Sequence, residues 1–442
     1  MYKIKDHHTK LLFEEFLPFA GKLEGENRWL KISKLIPWEE LEELYASYFS
    51  DRGRPALDAR LVIGLFLLKH MTNLSDEEVV FELKENVYWQ AFCGFKEFQS
   101  HSLLDPSTLS KLRKRLGSKY FRQLDSRTYQ VLVDLKIIRG KGVLVDGTVF
   151  CENIKYPNDV GLLNDAREWV VENIKRLGKA IGKKYRTYCR SARKVYLNFS
   201  KKKQKSKKLI KKCKKQMLQY VRRNVHQLEE ILKECREKGL MMKKKVLERF
   251  EVVKKIYSQQ LEMYKKGTQR IQDRIVSLSK PLVRPIKRGK AGQSVEFGPK
   301  AALSQVDGFL FLDKISYDNF SEASIKVVME QLGNYEKLFG KKPPSLTGDG
   351  LYGSRDNRKL LKELDIGCAF KALGRKVKAN GPGHDQWFKR KQRERNRIEG
   401  GFGTAKEHYG LDRIRYSIPG GAEIWVRSSI LGMNLKRALK RV

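Results

Sequence analysis

Up to residue 135 the apolar positions recur every three or four residues, the spacing of one helix face. Leu57 to Leu68 is almost entirely apolar, which predicts a helix buried on most sides. Ser75 with Glu78 predicts a capping box ahead of Val79, Val80, Phe81 and Leu83. Asp105-Pro106-Ser107 predicts another helix start, with Asp as N-cap and Pro in the first helical position. That helix carries Leu109, Leu112 and Leu116 on one side and Lys111, Arg113, Lys114 and Arg115 elsewhere, and Gly117 can close it.

The period then changes. Gly142 to Phe150 is apolar and β-branched, as expected of a buried strand. From 166 to 280 the helical period returns, with Val246, Phe250, Val253, Ile256, Leu261 and Tyr264 on one face, and Gly239 marks a break between two helices. Pro281 and Pro285 end this stretch. Val295-Glu296-Phe297-Gly298, Ala301 to Ser304 and Phe309 to Asp313 read as strands, the last two joined by an Asp307-Gly308 hairpin turn. Ser321 and Glu322 open a helix through Val327, Val328 and Leu332. Ser345 to Asp349 is a short strand, Arg355 to Leu364 a helix, Ile366 to Phe370 another short strand, and a last long helix falls between Lys389 and Tyr409. The layout is a mixed α/β domain whose first strand is separated from the rest by a helical insertion.

Charge sharpens this picture. The 442 residues carry 92 Lys+Arg and 51 Asp+Glu, a net charge of +41. Such an excess points to a polyanionic partner, because each neutralised phosphate releases counterions. Nucleic acid comes first and an anionic membrane surface second. The membrane reading is poor: the best apolar run, Leu61 to Leu68, is too short to span a bilayer. The N-terminus lacks the features of a secretion signal and the six cysteines are scattered with no C-x-x-C pair, so a cytoplasmic protein without a zinc finger is expected. Between Lys183 and Lys215 there are sixteen Lys/Arg and no Asp or Glu. Lys201, Lys202, Lys203, Lys207, Lys208, Lys211 and Lys212 are therefore candidate DNA contacts, a solvated surface being the alternative. Arg113, Lys114 and Arg115 face the same choice, between a helix-turn-helix reader and a basic solvent face.

Two aspartates stand where strands should be apolar. Asp146 interrupts Val143-Leu144-Val145 and Val149-Phe150, and Asp349 ends Leu346-Thr347-Gly348. A buried charge is costly unless it is paired or bound to a metal, although Asp146-Gly147 and Asp349-Gly350 could each serve a turn. Arg395, Glu399 and Lys406 would share one stripe of a helix, a spacing that a surface ion-pair ladder also has. Gly400, Gly401 and Gly403 fall inside that helix, each at a cost of about 1 kcal/mol relative to Ala. They are expected where a sheet or a DNA backbone comes close, or the helix begins later. Three carboxylates from two strands and a helix suit Mg²⁺, with Mn²⁺ as a substitute. Two such ions ~3.5–4 Å apart can hold the attacking and leaving oxygens of an in-line displacement at phosphorus.

At these residues the chain resembles the bacterial insertion-sequence transposases with a ribonuclease-H-like D-D-E core. Asp146-Gly147-Thr148 with Ile154 to Leu163 looks like that family's first-aspartate block, and Arg284 to Lys290 with Val295 to Lys300 like the lead-in to its second strand. Gly348-Asp349-Gly350-Leu351-Tyr352-Gly353 with Asn357 looks like its second-aspartate block. Arg395, Glu399 and Lys406 match its Arg, three residues, Glu, six residues, Lys spacing; Gln392 departs from the Tyr that the family places three positions before the Arg. Leu57 to Gly117 resembles the helical N-terminal domain common in the group.

The resemblance implies a ribonuclease-H-like mixed sheet flanked by helices. Residues 1–135 would form a helical DNA-binding domain, 136–165 and 291–442 the catalytic domain, and 166–290 a helical basic insertion. Asp146 would lie on the first core strand, Asp349 just after the fourth and Glu399 on the late helix, as metal ligands. Arg395 and Lys406 would hold phosphate at the terminal repeat. The chemistry would be metal-dependent cleavage at the element's ends and strand transfer into target DNA, by a homodimer on double-stranded DNA in the nucleoid. A structure-specific nuclease on the same core, or a catalytically idle DNA-binding derivative, remains an alternative, and an RNA-binding protein ranks last. Asp159, an acid in the first-aspartate block, is read as structural or as a neighbour of the metal ligands, with contact to the metal itself the lesser alternative. Tyr352 and Trp387 could stack a displaced base or could be ordinary core residues.

Overall fold

The computed structural model describes residues 18–101, 103–287, 295–371 and 382–442. In chain order its elements are α1 (Arg28–Ser33), α2 (Trp38–Ala46), α3 (Ala59–Thr72), α4 (Asp76–Glu85), α5 (Val87–Phe92), α6 (Pro106–Asp134), β1 (Val143–Val149), α7 (Asp159–Ala180), α8 (Cys189–Lys201), α9 (Lys207–Glu237), α10 (Lys244–Lys266), β2 (Pro285–Lys287), β3 (Val295–Phe297), β4 (Lys300–Val306), β5 (Phe309–Ser316), α11 (Ile325–Phe339), β6 (Ser345–Thr347), α12 (Arg355–Glu363), β7 (Gly367–Cys368), α13 (Pro382–His408) and α14 (Gly421–Ala438). They fall into two compact units, residues 1–152 with 299–442, and residues 153–298. Of the lead-in block from Arg284 to Lys290, residues 288–290 lie outside the described residues.

The first unit is built on a five-stranded sheet in the order β5-β4-β1-β6-β7. β1 is central, antiparallel to β4 and parallel to β6. This mixed sheet with flanking helices is compatible with a ribonuclease-H-like core. Side chains alternate across a strand, and paired residues on neighbouring strands share a face. Val143, Val145 and Leu346 enter the core with helices α3, α6, α11 and α14. Leu144 packs on the other face, with Leu303 and Leu310 of β4 and β5 and Ile398 and Phe402 of α13. Asp146 pairs with Leu303, so it too stands on the α13 face.

Local signals act as expected at several ends. The Ser75–Glu78 capping box forms, and Asp58, Asp105 and Ser354 cap their helices. Gly117, at φ 67 and ψ 175, breaks the line of α6 without ending it. Asp307 and Gly308, both at positive φ, turn β4 into β5. The helix expected from Ser321 begins later, at Ile325, with Ser324 as its N-cap. α14 has no counterpart in the sequence reading; it is buried along most of its length and packs against α3, α6 and β5.

The second unit is a helical bundle, α7 to α10, with the small β2–β3 ribbon. It runs from Asn153 to Gly298, and its first helix, α7, starts at Asp159. Gly239, at φ 69, and residues 240–243 separate α9 from α10. Asp159 is the polar hub of this bundle. It accepts from Lys214 Nζ at 2.8 Å, Arg274 Nη2 at 2.7 Å and Gln260 Nε2 at 3.2 Å. Burial alone would raise its carboxyl, but Lys214, Arg274 and Gln260 hold it below the ordinary value. Lys214 thus leaves the basic run and enters the core.

Candidate active site

The alternation that puts Leu144 over α13 carries Asp146 to the same side two residues later. β6 pairs Thr347 with Leu144 in parallel register, and Asp349 follows Thr347 by two residues in extended backbone. Central strand and neighbour therefore deliver one carboxylate each to the α13 side. Asp349 is half-buried and caps the turn beyond β6, its Oδ1 accepting from Leu351 N–H at 2.9 Å. Asp146 Oδ1 accepts from the N–H of Gly147 at 2.7 Å.

Electrostatics ties these acids to α13. The Asp146 carboxyl is pushed up to about 6, first by burial and then by the negative charges of Asp349 and Glu399, with Gly147 N–H and Arg395 pulling the other way. Glu399 is largely exposed, and its ion pair to Arg395 is 3.7 Å long. Lys406, farther along the helix, donates to the carbonyl of Val149 at 3.2 Å, at the end of β1. Gln392, at the departing position, donates to the carbonyl of Ala369 and so ties α13 to the chain beyond β7.

The glycines of α13 divide by role. A Cβ on Gly401 would come 3.0 Å from Gln305 Nε2 and 3.2 Å from Leu310, so the sheet does approach closely there. A Cβ on Gly400 or Gly403 would meet nothing within 4 Å among the described residues.

The donor set is right in kind for a hard divalent ion: oxygen ligands only, around a carboxyl whose ionised form has more negative than positive company. Among the described residues no group of three or more His, Cys, Asp or Glu is gathered tightly enough to chelate an ion as the side chains stand.

On the opposite face lies a residue that the sequence reading used only as a helix start. Glu322 rests on Gly147, where a Cβ would come 2.9 Å from its Cγ, and it pairs with Lys300. Nothing local in the sequence signals this, because the contact joins segments far apart in the chain. Tyr352 is fully buried against Gly348, and among the described residues its hydroxyl has no partner. A base cannot stack on it, so that role is withdrawn. Trp387 lies beside Gly367 of β7.

The basic candidates also separate. Arg113 is buried, paired with Asp76 and laid over Tyr416 at 4.3 Å. Its expected DNA contact is corrected: the guanidinium is turned into the fold, not out to solvent. Lys114 and Arg115 are exposed, Arg115 stacking on Phe49 at 4.2 Å. Lys201, Lys202, Lys203, Lys207, Lys208, Lys211 and Lys212 are all exposed in the helical bundle. No helix among the described residues is long and apolar enough to cross a membrane.

Comparison with known proteins bears on the same segments. Residues 18–115 match the family described as Transposase domain (DUF772), and residues 346–435 match Transposase DDE domain. The second match spans Asp349, Arg395, Glu399 and Lys406. The chain is 35% identical over 159 residues to an uncharacterized protein, ORF8 in the nfe locus of Rhizobium meliloti, across 35% of this chain and 77% of that protein. No solved structure matches it. With a central-strand aspartate, a second aspartate after the neighbouring strand and both domain matches in order, the chain belongs to the insertion-sequence DDE transposases.

Proposed function

We propose that this transposase cleaves DNA at the ends of its element and joins them to target DNA, with Asp146, Asp349 and Glu399 holding two divalent ions, Mg²⁺ or Mn²⁺. The observation that carries the reading is that paired strands β1 and β6 deliver Asp146 and Asp349 to the side of the sheet where α13 carries Glu399 and Arg395. When bound, the ions would polarise the phosphodiester and the attacking oxygen.

The chain's own residues do the rest. Asp146 and Asp349 are fixed by backbone hydrogen bonds that leave oxygens free to act as ligands. Among the described residues Glu399 is tied by its pair to Arg395, a contact that contributes about 0–1 kcal/mol, so it can turn toward the other two at little cost. Arg395 supplies positive charge beside the acids and would hold phosphate, with Lys406 nearby at the end of β1.

In this reading residues 136–165 and 291–442 form the catalytic domain, residues 1–135 a helical DNA-binding domain, and residues 166–290 a basic insertion that grips DNA through its exposed lysines. Lys114 and Arg115 would add contacts to the DNA backbone. Two ends must be handled together, which calls for a homodimer on double-stranded terminal repeats in the nucleoid.

The test is a reaction with labelled element ends and a supercoiled target plasmid. Products in which the label becomes joined to the plasmid support the reading. Ends that are cut and never joined point instead to a nuclease on the same core, and no cutting at all to a DNA-binding derivative.

A further inference from the structure

A hollow of about 310 Å³ lies between α13 and the amino ends of β1 and β6. Lys141, Arg390, Arg397 and Glu394 reach it from the rim, and Gln305 and Thr347 from the sheet. It lies one pleat away from the acids. Gln305, Leu144 and Thr347 form one row across three strands, and Asp146 stands in the next.

Two atoms make it a built site. Gln305 and Thr347 are 2% and 1% exposed, and among the described residues Gln305 Oε1 and Thr347 Oγ1 have no hydrogen-bond partner. Buried polar groups are nearly always paired, so two orphans beside one cavity mark a place for a ligand's polar atoms. The Gln305 amide cannot simply be turned over. Its Nε2 faces the carbonyls of Gly308 at 3.3 Å and Arg397 at 3.5 Å, and exchange would set oxygen against oxygen.

The required chemistry follows from the lining. Arg390, Arg397 and Lys141 offer positive charge; of the two acids there, Glu394 is paired with Lys391 at 3.1 Å and Asp307 accepts from the backbone N–H groups of Arg139 and Gly140. Arginine forks suit phosphate. Gln305 Oε1 needs a donor, which a fully ionised phosphate lacks and a sugar hydroxyl or base amino group supplies. The volume stands at the small end of ligand pockets.

We propose that this hollow binds a single nucleotide unit, phosphate toward Arg390 and Arg397 and a hydroxyl or amino donor toward Gln305 and Thr347. The unit belongs to a free mononucleotide or to a residue of a DNA strand, and neither source depends on the cutting reaction.

Calorimetric titration of the full chain with dAMP, with inorganic phosphate and with a five-nucleotide single strand tests this. Wild type should bind dAMP at one site and more tightly than phosphate. Thr347→Val, which keeps the side-chain shape, should weaken dAMP binding about three- to tenfold. Arg390→Gln, at an exposed position that cannot unfold the core, should weaken it about tenfold or more. If only the oligonucleotide shows these losses, the unit is part of DNA; if dAMP shows them too, free nucleotide enters. Losses of the same size for phosphate would overturn the nucleotide assignment. Unchanged binding of all three probes in both variants would overturn the site, and a Thr347→Val chain that merely gains thermal stability would identify its hydroxyl as an unused core group.

Discussion

Arg395 Nη1 stands 3.7 Å from Glu399 Oε1, one turn away on α13, and the same guanidinium counters the negative charge around Asp146. One cation thus answers to acids from a strand and from a helix. Arg395→Gln should lower cleavage about 10- to 100-fold, the usual loss when a neighbour of metal ligands is removed. Folding stability should move by less than about 1 kcal/mol, because the pair is exposed on its acidic side. Denaturant unfolding beside the cleavage assay checks this; a large loss of stability would make Arg395 a structural residue.

The raised Asp146 carboxyl fixes the sign of a pH effect. An acid whose folded value lies above its unfolded one contributes stability below pH 4, and that contribution is lost as pH rises through about 6. Asp146→Asn should therefore be more stable than wild type at pH 7.5, by about 1–2 kcal/mol after allowance for solvent screening. The gap should close at pH 4. Added Mg²⁺ should raise the melting temperature of wild type at pH 7.5 and leave the variant unmoved, and chelation should reverse the gain.

Two buried ion pairs serve the fold. Arg113→Ala should destabilise the protein by about 3 kcal/mol, the low end for a broken buried pair, because Lys69 stays 3.2 Å from Asp76. Lys214→Met should cost a similar amount, about 3 kcal/mol, by leaving Asp159 with Arg274 and Gln260 alone. Urea midpoints measure both. A loss of DNA affinity without a loss of stability in Arg113→Ala would restore that residue to the DNA surface.

Neutralising Lys207, Lys208, Lys211 and Lys212 together should act differently. DNA affinity should fall and the slope of log K against log salt should flatten by up to about 0.9 for each phosphate contact removed. Stability should change little, since all four are exposed. Anisotropy titrations across a salt series read the slope.

Much of this was legible in the sequence where local chemistry decides the structure. The Ser75 capping box, the Asp307-Gly308 turn and the Val143–Val149 strand follow from neighbouring residues alone. α14 escaped because it is buried on nearly every side and sets Ser428, Ser429 and Asn434 in the core, so no polar face betrays its period. Arg113 looked like its basic neighbours; only the approach of Asp76 from α4 and of Tyr416 from the loop after α13 buries it. Glu322 on Gly147 is likewise a product of tertiary folding.

The most direct measurement is Mg²⁺-dependent cleavage of end DNA by wild type, Asp146→Asn, Asp349→Asn and Glu399→Gln, each at matched DNA occupancy. The expected result is cutting by wild type alone, with DNA affinity changed by less than about twofold in the variants. Cutting at the wild-type rate by any of the three would contradict the assignment of that carboxylate, and by Asp146→Asn the whole reading of the site.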